Sequence, residues 1–161
     1  MAGLSADEVY ARHHRDVYRY LVRMTGHRDV ADDLAQEVFL RVVRGLRDGG
    51  SIGHERGWVF SIARHLLVDR QREAQRRAPL AVAPGEQAND GTQELAFGLA
   101  ESLQRLSEAD RDTFLLREIG GFSYQEIAAV CESTVDAVRA RLRRTRAALR
   151  ATLSMSSPGK R

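Results

Sequence analysis

The stretch STVDAVRARLRRTR, residues 133–146, holds Arg139, Arg141, Arg143, Arg144 and Arg146, five arginines in eight positions. A guanidinium offers planar, permanently charged donors that can grip a phosphate or a guanine edge through two hydrogen bonds. The whole chain has a formal net charge of only +3, yet from residue 133 to the end there are eight bases and one acid, against three bases and seven acids in 96–132. A charge run alone is usually a solvated helix face. Helical geometry argues for more than that here. Counted at about 100° per residue from Arg139, the side chains of Val135, Val138, Leu142, Leu149 and Leu153 fall between about 260° and 320°, a narrow apolar stripe that must pack. Asp136, Arg139, Ala140, Arg143 and Arg144 fall between about 0° and 140° and face outward, with Arg141 near 200° and Arg146 near 340° on the flanks. Arg139 and Arg143, four residues apart, repel each other, and an anionic partner relieves that repulsion. DNA binding by this helix is the expectation; an exposed or protein-binding helix is the plainer alternative.

Other reactive side chains offer less. His13, His14, His27, His54 and His65 have no metal-ligand spacing with one another or with Cys131, so no metal site is expected. There is no glycine-rich phosphate cradle and no nucleophile motif, which points away from an enzyme and from a cofactor. Cys131 reads as a small buried apolar residue, with a redox switch as the sharper alternative. A single cysteine suits a reducing compartment. MAGLSADEVY has the marks of no secretion signal, and no apolar run approaches the roughly 20 residues needed to span a bilayer. A cytoplasmic chain without membrane insertion is expected.

The elements that must position these residues are helical throughout. Ser5 and Glu8 form a capping-box pattern opening a helix to about Met24, with Gly26 to end it and Val9, His13, Val17, Leu21 and Met24 on one face. A second helix runs from about Asp29, with Leu34, Val38 and Val42 at helical spacing and Leu46 closing it. Gly49, Gly50 and Gly53 mark a loop, and a third helix from near Arg56 carries Trp58, Ile62, Leu66 and Asp69 down one side. Residues 78–93, with two of the three prolines and two glycines, read as a flexible linker. Beyond it one helix ends near Leu106, and Ser107 with Asp110 opens another carrying Phe114, Leu115 and Ile119 up to Gly120 and Gly121. Ser123 and Glu126 form a second capping box before YQEIAAV, and after the break CEST either Ser133 or Thr134 can cap the arginine-rich helix. Short helix, tight turn and longer helix make a helix-turn-helix. The fold class is therefore all-α: two small helical domains joined by a flexible linker, the second containing a helix-turn-helix. The domains are expected at 1–77 and 96–153, with 78–95 as linker and 154–161 as a disordered tail.

Three motifs in order carry a family resemblance over nearly the whole length. ADDLAQEVFLRV (31–42), RGWVFSIARHLLVDRQR (56–72) and LREIGGFSYQEIAAV followed by VRARLRRTRAAL resemble segments of bacterial sigma factors of the sigma-70 family, in the small extracytoplasmic-function group. The resemblance implies a factor that binds core RNA polymerase, through its β′ clamp and β subunits, and directs initiation at promoter DNA. It further implies that Asp33, Gln36 and Glu37 contact the polymerase from an acidic, polar patch whose plainer reading is a solvated face, with Phe39 either joining them or packing underneath. It assigns His65, Arg64, Arg70, Arg72 and Arg76 to the minus-ten element, with Arg77 adding charge. The minus-thirty-five element falls to Arg139, Ala140, Arg143, Arg144, Arg141 and Arg146. Members of the group are commonly held inactive by an anti-sigma factor, so such a partner is expected too.

Opening DNA requires both phosphate contacts and a place for unstacked bases. Trp58 shares a stripe with Ile62 and Leu66 and reads as core, so base capture is expected in the loop 49–57. Four positions depart from the family pattern. His65 stands where asparagine is common, Glu132 and Asp136 where glycine is, and Ser133 where an apolar residue is. The turn can still form with a different backbone geometry. Asp136 could accept from a cytosine amino group, hold a neighbouring arginine, or stabilise the helix amino terminus. A stand-alone helix-turn-helix regulator would need only the second domain, and a helical interaction protein would leave the one-sided arginines unexplained.

Overall fold

The computed structural model describes residues 3–49, 54–77 and 93–156, with side chains described from 98 to 154 in the last of these segments. Its contacts divide the chain into two compact units, Met1–Gly85 and Glu86–Arg161. Among the described residues there are seven helices and no strand: α1 Ala6–Thr25, α2 Arg28–Arg47, α3 Glu55–Arg76, α4 Gln93–Arg105, α5 Glu108–Glu118, α6 Tyr124–Val130 and α7 Val135–Ser156. None is long and apolar enough to cross a membrane. The expected linker lies almost wholly outside the described residues, as do Gly50–Gly53 of the expected base-capture loop. Of the expected tail, α7 includes 154–156, and the rest lies outside them.

The first unit is a three-helix bundle whose ends are set by local chemistry. Ser5 Oγ accepts from the Asp7 N–H while the Ser5 N–H donates to Glu8 Oε2, the reciprocal capping box. Gly26 closes α1 at φ 77°, in the left-handed region glycine enters without a Cβ clash. Val9, His13, Val17, Leu21 and Met24 are all buried, together with Tyr20, whose ring meets Phe60 of α3 edge-on at 5.5 Å. α2 contributes Ala31, Leu34, Val38 and Val42, and α3 contributes Val59, Phe60, Ala63, Leu66 and Leu67.

One expected face is rotated. Of Trp58, Ile62 and Leu66, only Leu66 is buried, because α3 turns the arc of Val59, Ala63 and Phe60 inward against α1 and α2. Trp58 is half-buried at the rim, where its indole lies over Gly45 of α2: a Cβ on Gly45 would stand 2.6 Å from Cζ2. Any larger residue at 45 must push the indole aside.

In the second unit α4, α5 and α6 pack on α7. Ser107 Oγ accepts from the Asp110 N–H at 3.2 Å, and Ser123 with Glu126 completes a second capping box. The carbonyls at the end of α4 have no partner within the helix. The buried guanidinium of Arg111 supplies one, with Nε donating to Leu103 O and Nη2 to Gln104 O and Leu106 O. Burial pulls the Arg111 pKa down, and Glu108 opposes that. Phe114 and Ile119 are only half-buried, and α5 instead buries Leu115 and Leu116.

The helix-turn-helix turn forms without glycine. Glu132 itself adopts φ 50°, the left-handed geometry of a glycine, and no alternative backbone path is used. Ser133 N–H donates to Ala128 O at 2.8 Å and Glu132 N–H to Ala129 O at 3.4 Å, a Schellman ending of α6. Thr134 Oγ1, rather than Ser133, accepts from the Ala137 N–H and caps α7. Cys131 is half-buried with its thiol 3.9 Å from Asp112 Oδ2, so its surroundings are not the purely apolar ones expected. Val138, Leu142 and Leu149 of the apolar stripe are buried, and Val135 and Leu153 are half-buried.

Candidate functional site

Three helix faces carry the residues singled out by the sequence. On α2 the buried positions Ala31, Leu34, Val38 and Val42 leave an opposite arc, within about 40° either side of Asp33 except for Gln36 at about 60°, that also contains Glu37, Leu40 and Arg44. Asp33 and Gln36 are exposed, and Glu37 accepts from Arg41 Nε at 3.2 Å. Leu40, 52% exposed, lies in the middle of this polar arc. Sequence reasoning passed over it, although its spacing of four from Gln36 and three from Glu37 was the available signal. Phe39 falls outside the arc. It is half-buried, with its ring edge-on to Tyr10 at 4.9 Å, and Tyr10 in turn stacks on His14 at 4.5 Å.

On α3 the outward arc gathers Arg64, His65, Arg72 and Arg76 within about 120°. His65, Arg72 and Arg76 are exposed and Arg64 is half-buried. Arg70 is exposed but points to the side that carries Val59 and Ala63 nearer the amino end, so it does not join the others. Arg77 is paired with Glu73 at 2.9 Å.

The amino end of α3 is fixed by charge. Glu55 accepts from Arg12 Nη1 at 2.9 and 3.0 Å and lies 2.7 Å from His13 Nε2. Arg56 donates to Asp16 Oδ2 at 3.0 Å, sits 3.5 Å from His13 Nδ1, and covers the Phe60 ring at 5.3 Å. Donation from Nε2 and acceptance at Nδ1 fit the Nε2–H tautomer of His13. The amino end of α3 is thereby held on α1.

On α7, Asp136, Arg139, Ala140, Arg143 and Arg144 are all exposed. Arg139 Nη1 lies 3.3 Å from Asp136 Oδ1, which realises the arginine-holding reading of Asp136. Arg144 makes a two-point contact with Asp110 of α5, Nε to Oδ2 at 3.2 Å and Nη2 to Oδ1 at 2.7 Å. Arg146 reaches Glu118 at 3.6 Å. Arg141 and Arg143 form no ion pair among the described residues. A surface depression is lined by Arg139, Arg143, Arg146 and Arg150 with Tyr124 and Leu142. Those four arginines follow 4-3-4 spacing and lie within about 40° of one line along the helix. Arg150 and Tyr124 were missed because the sequence reading stopped at the dense run ending with Arg146.

Both units match known protein families. Residues 9–77 match the family model of sigma-70 region 2, and residues 97–149 match that of sigma-70 region 4. The ECF RNA polymerase sigma factor SigC of Mycobacterium tuberculosis (strain CDC 1551 / Oshkosh) is 32% identical over 144 residues, covering 84% of this chain and 76% of that protein. RNA polymerase sigma factor YlaC of Bacillus subtilis (strain 168) is 25% identical over 162 residues, 94% of each. Among solved structures, CnrH in complex with the cytosolic domain of CnrY has a TM-score of 0.71 at 28% identity, covering 94% of this chain and 89% of that one. The sigma factor RpoE, solved with the anti-sigma factor NepR from Bartonella quintana, has the same TM-score at 22% identity, covering 92% and 96%, and so shows the fold. A stand-alone helix-turn-helix regulator leaves the region 2 match without a role. With both regions matched in order, the chain belongs to the extracytoplasmic-function group of the sigma-70 family of RNA polymerase sigma factors.

Proposed function

We propose that this sigma factor directs promoter-specific initiation through the three faces described above. The α2 arc of Asp33, Gln36, Glu37 and Leu40 docks on core RNA polymerase, with Phe39 bracing the arc against α1. A lone exposed leucine ringed by polar side chains supports this, since apolar anchors with a polar rim are how protein interfaces are built. Arg64, His65, Arg72 and Arg76 hold the minus-ten region as it opens, and Arg70 reaches a phosphate on the other side of α3. α7 enters the major groove at the minus-thirty-five element, with Arg139, Ala140, Arg143 and Arg144 toward the bases and Arg141 and Arg146 toward phosphates. The chain itself catalyses nothing and works in the cytoplasm. RpoE and CnrH were each solved with a partner, NepR and CnrY. An anti-sigma partner for this chain follows by analogy.

The observation that carries the reading is the outward arc of α7, where arginines stand exposed over a buried apolar stripe. Its test is reconstitution: the full chain with core polymerase should give discrete transcripts from a promoter library that core alone does not give. Asp33→Lys and Glu37→Lys should weaken core binding about tenfold, the size of a disrupted interface charge, with thermal unfolding unchanged. Equal core affinity for both variants would remove α2 from the interface.

A further inference from the structure

Asp110 and Arg144 are 34 residues apart, one in the first turn of α5 and the other on α7. The Asp110 side chain is 12% exposed and that of Arg144 64%. The Asp110 N–H donates to Ser107 Oγ, so its backbone is set by the cap of α5 and its carboxylate by the fold. Asp110, by hydrogen bonding first and by its charge second, raises the pKa of Arg144. A guanidinium has five N–H donors. Asp110 takes the edge formed by Nε and Nη2, which leaves the end-on edge of Nη1 and Nη2 with its own pair of parallel donors. The pair between Arg139 and Asp136 is of another kind: the carboxylate is 94% exposed and one helical turn away, so it restrains little.

We propose that Asp110 is a positioning residue for sequence reading: it holds Arg144 by one edge and so presents the other to a base edge in the major groove. The inference rests on the reading of α7 as the minus-thirty-five helix. An arginine left free must lose several rotatable bonds' worth of freedom on reaching a base; one already held loses less, and a wrong base then finds donors that cannot shift to suit it. A latch that withholds Arg144 from DNA would need to occupy its whole donor set, and Asp110 occupies two of the five donors.

The test uses the full chain in complex with core polymerase, bound to the cognate promoter and to duplexes with single substitutions in the minus-thirty-five element. Asp110→Ala and Asp110→Asn should lower the preference at one base pair by about tenfold, the size of a two-point grip on a base. Affinity for non-specific duplex should stay level or rise slightly, because a negative charge has gone. The effect should vanish in an Arg144→Ala background, and Asp110→Glu should restore part of it. Asn keeps the size of the side chain and its acceptor at the start of α5, so it retains the test if Ala unfolds the unit. Uniformly tighter binding of all duplexes by Asp110→Asn would make the contact a latch and overturn the proposal. Equal losses with and without Arg144 would also overturn it, leaving Asp110 a folding residue. Arg139→Ala is the control: if it too leaves base preference unchanged, the reading of α7 fails, whereas a change there with none for Asp110 sinks only this inference.

Discussion

The basic faces of α3 and α7 use the same residue type in different ways. On α7, Arg139, Arg144 and Arg146 each meet a carboxylate, two of them from α5. On α3, Arg70, Arg72 and Arg76 form no ion pair among the described residues. A duplex groove offers a rigid pattern of donors and acceptors, which rewards arginines whose directions are already set. A separating strand offers phosphates on a pliable backbone, for which unrestrained charge suffices. The carboxylates that meet the α7 arginines also relieve the like-charge repulsion along the helix before any DNA arrives. On the proposed reading, Arg70, Arg72 and Arg76 of α3 can follow their target, whereas Arg144 and Arg146 of α7 are held by carboxylates of α5.

The largest expected effect breaks the platform behind the aimed face. Arg111→Ala removes donors from the carbonyls of Leu103, Gln104 and Leu106 at the end of α4, of which Leu103 O keeps the Leu106 N–H. Losing these charge-assisted hydrogen bonds costs on the order of 3 kcal/mol, since each is worth about 1.5–3 kcal/mol and water re-enters part of the site. Circular dichroism of the full chain should show the second unit melting earlier while the transition of the first unit is unmoved. A single transition shifted as a whole would mean that the two units do not melt independently.

A smaller effect separates aim from charge directly. Arg139→Ala should cost about 1–3 kcal/mol on the cognate minus-thirty-five element and relax preference at one base pair. Replacing Arg72 and Arg76 together should instead weaken open complexes on every promoter. The salt slope should fall by about 0.7 for each single-strand phosphate that is no longer neutralised, with base preference intact. Promoter binding by the polymerase complex at several salt concentrations measures both. If Arg139→Ala weakens every element equally, that arginine is an anchor and the contrast between the helices fails at that position.

The sequence disclosed helix ends far better than it disclosed ties between helices. Ser5 with Glu8 and Ser123 with Glu126 could be read because each box closes within four residues. The outward arc of α7 was legible because its apolar stripe is narrow. α3 was harder: Trp58 and Ile62 are as apolar as Val59 and Ala63, and only packing against α1 and α2 decides which pair goes inside. The contacts of Arg144 with Asp110 and of Glu55 with Arg12 and His13 span 34 and more than 40 residues, and no local pattern announces them. Gly45 belongs with these, since its need for a missing Cβ is set by an indole arriving from another helix.

The smallest effect concerns the turn that aims α7. Glu132 sits at φ 50°, where a Cβ crowds the following carbonyl at a cost of about 1–2 kcal/mol. Glycine there removes the clash but adds about 0.5–1 kcal/mol of freedom to the unfolded chain. Glu132→Gly should therefore stabilise the second unit by roughly 0.5–1 kcal/mol, a rise of about 2–8 °C in its melting temperature for a unit of this size. Glu132→Ala keeps the Cβ and should gain nothing. Because the Schellman bonds from Glu132 and Ser133 to Ala129 and Ala128 need only that φ, they persist in the glycine variant, and base preference should not move. A lower melting temperature would mean that the Glu132 side chain stabilises the turn by more than its backbone strain. A changed base preference at raised stability would be more telling: it would assign the aim of the arginines to the turn and take it away from Asp110 and Glu118 on α5.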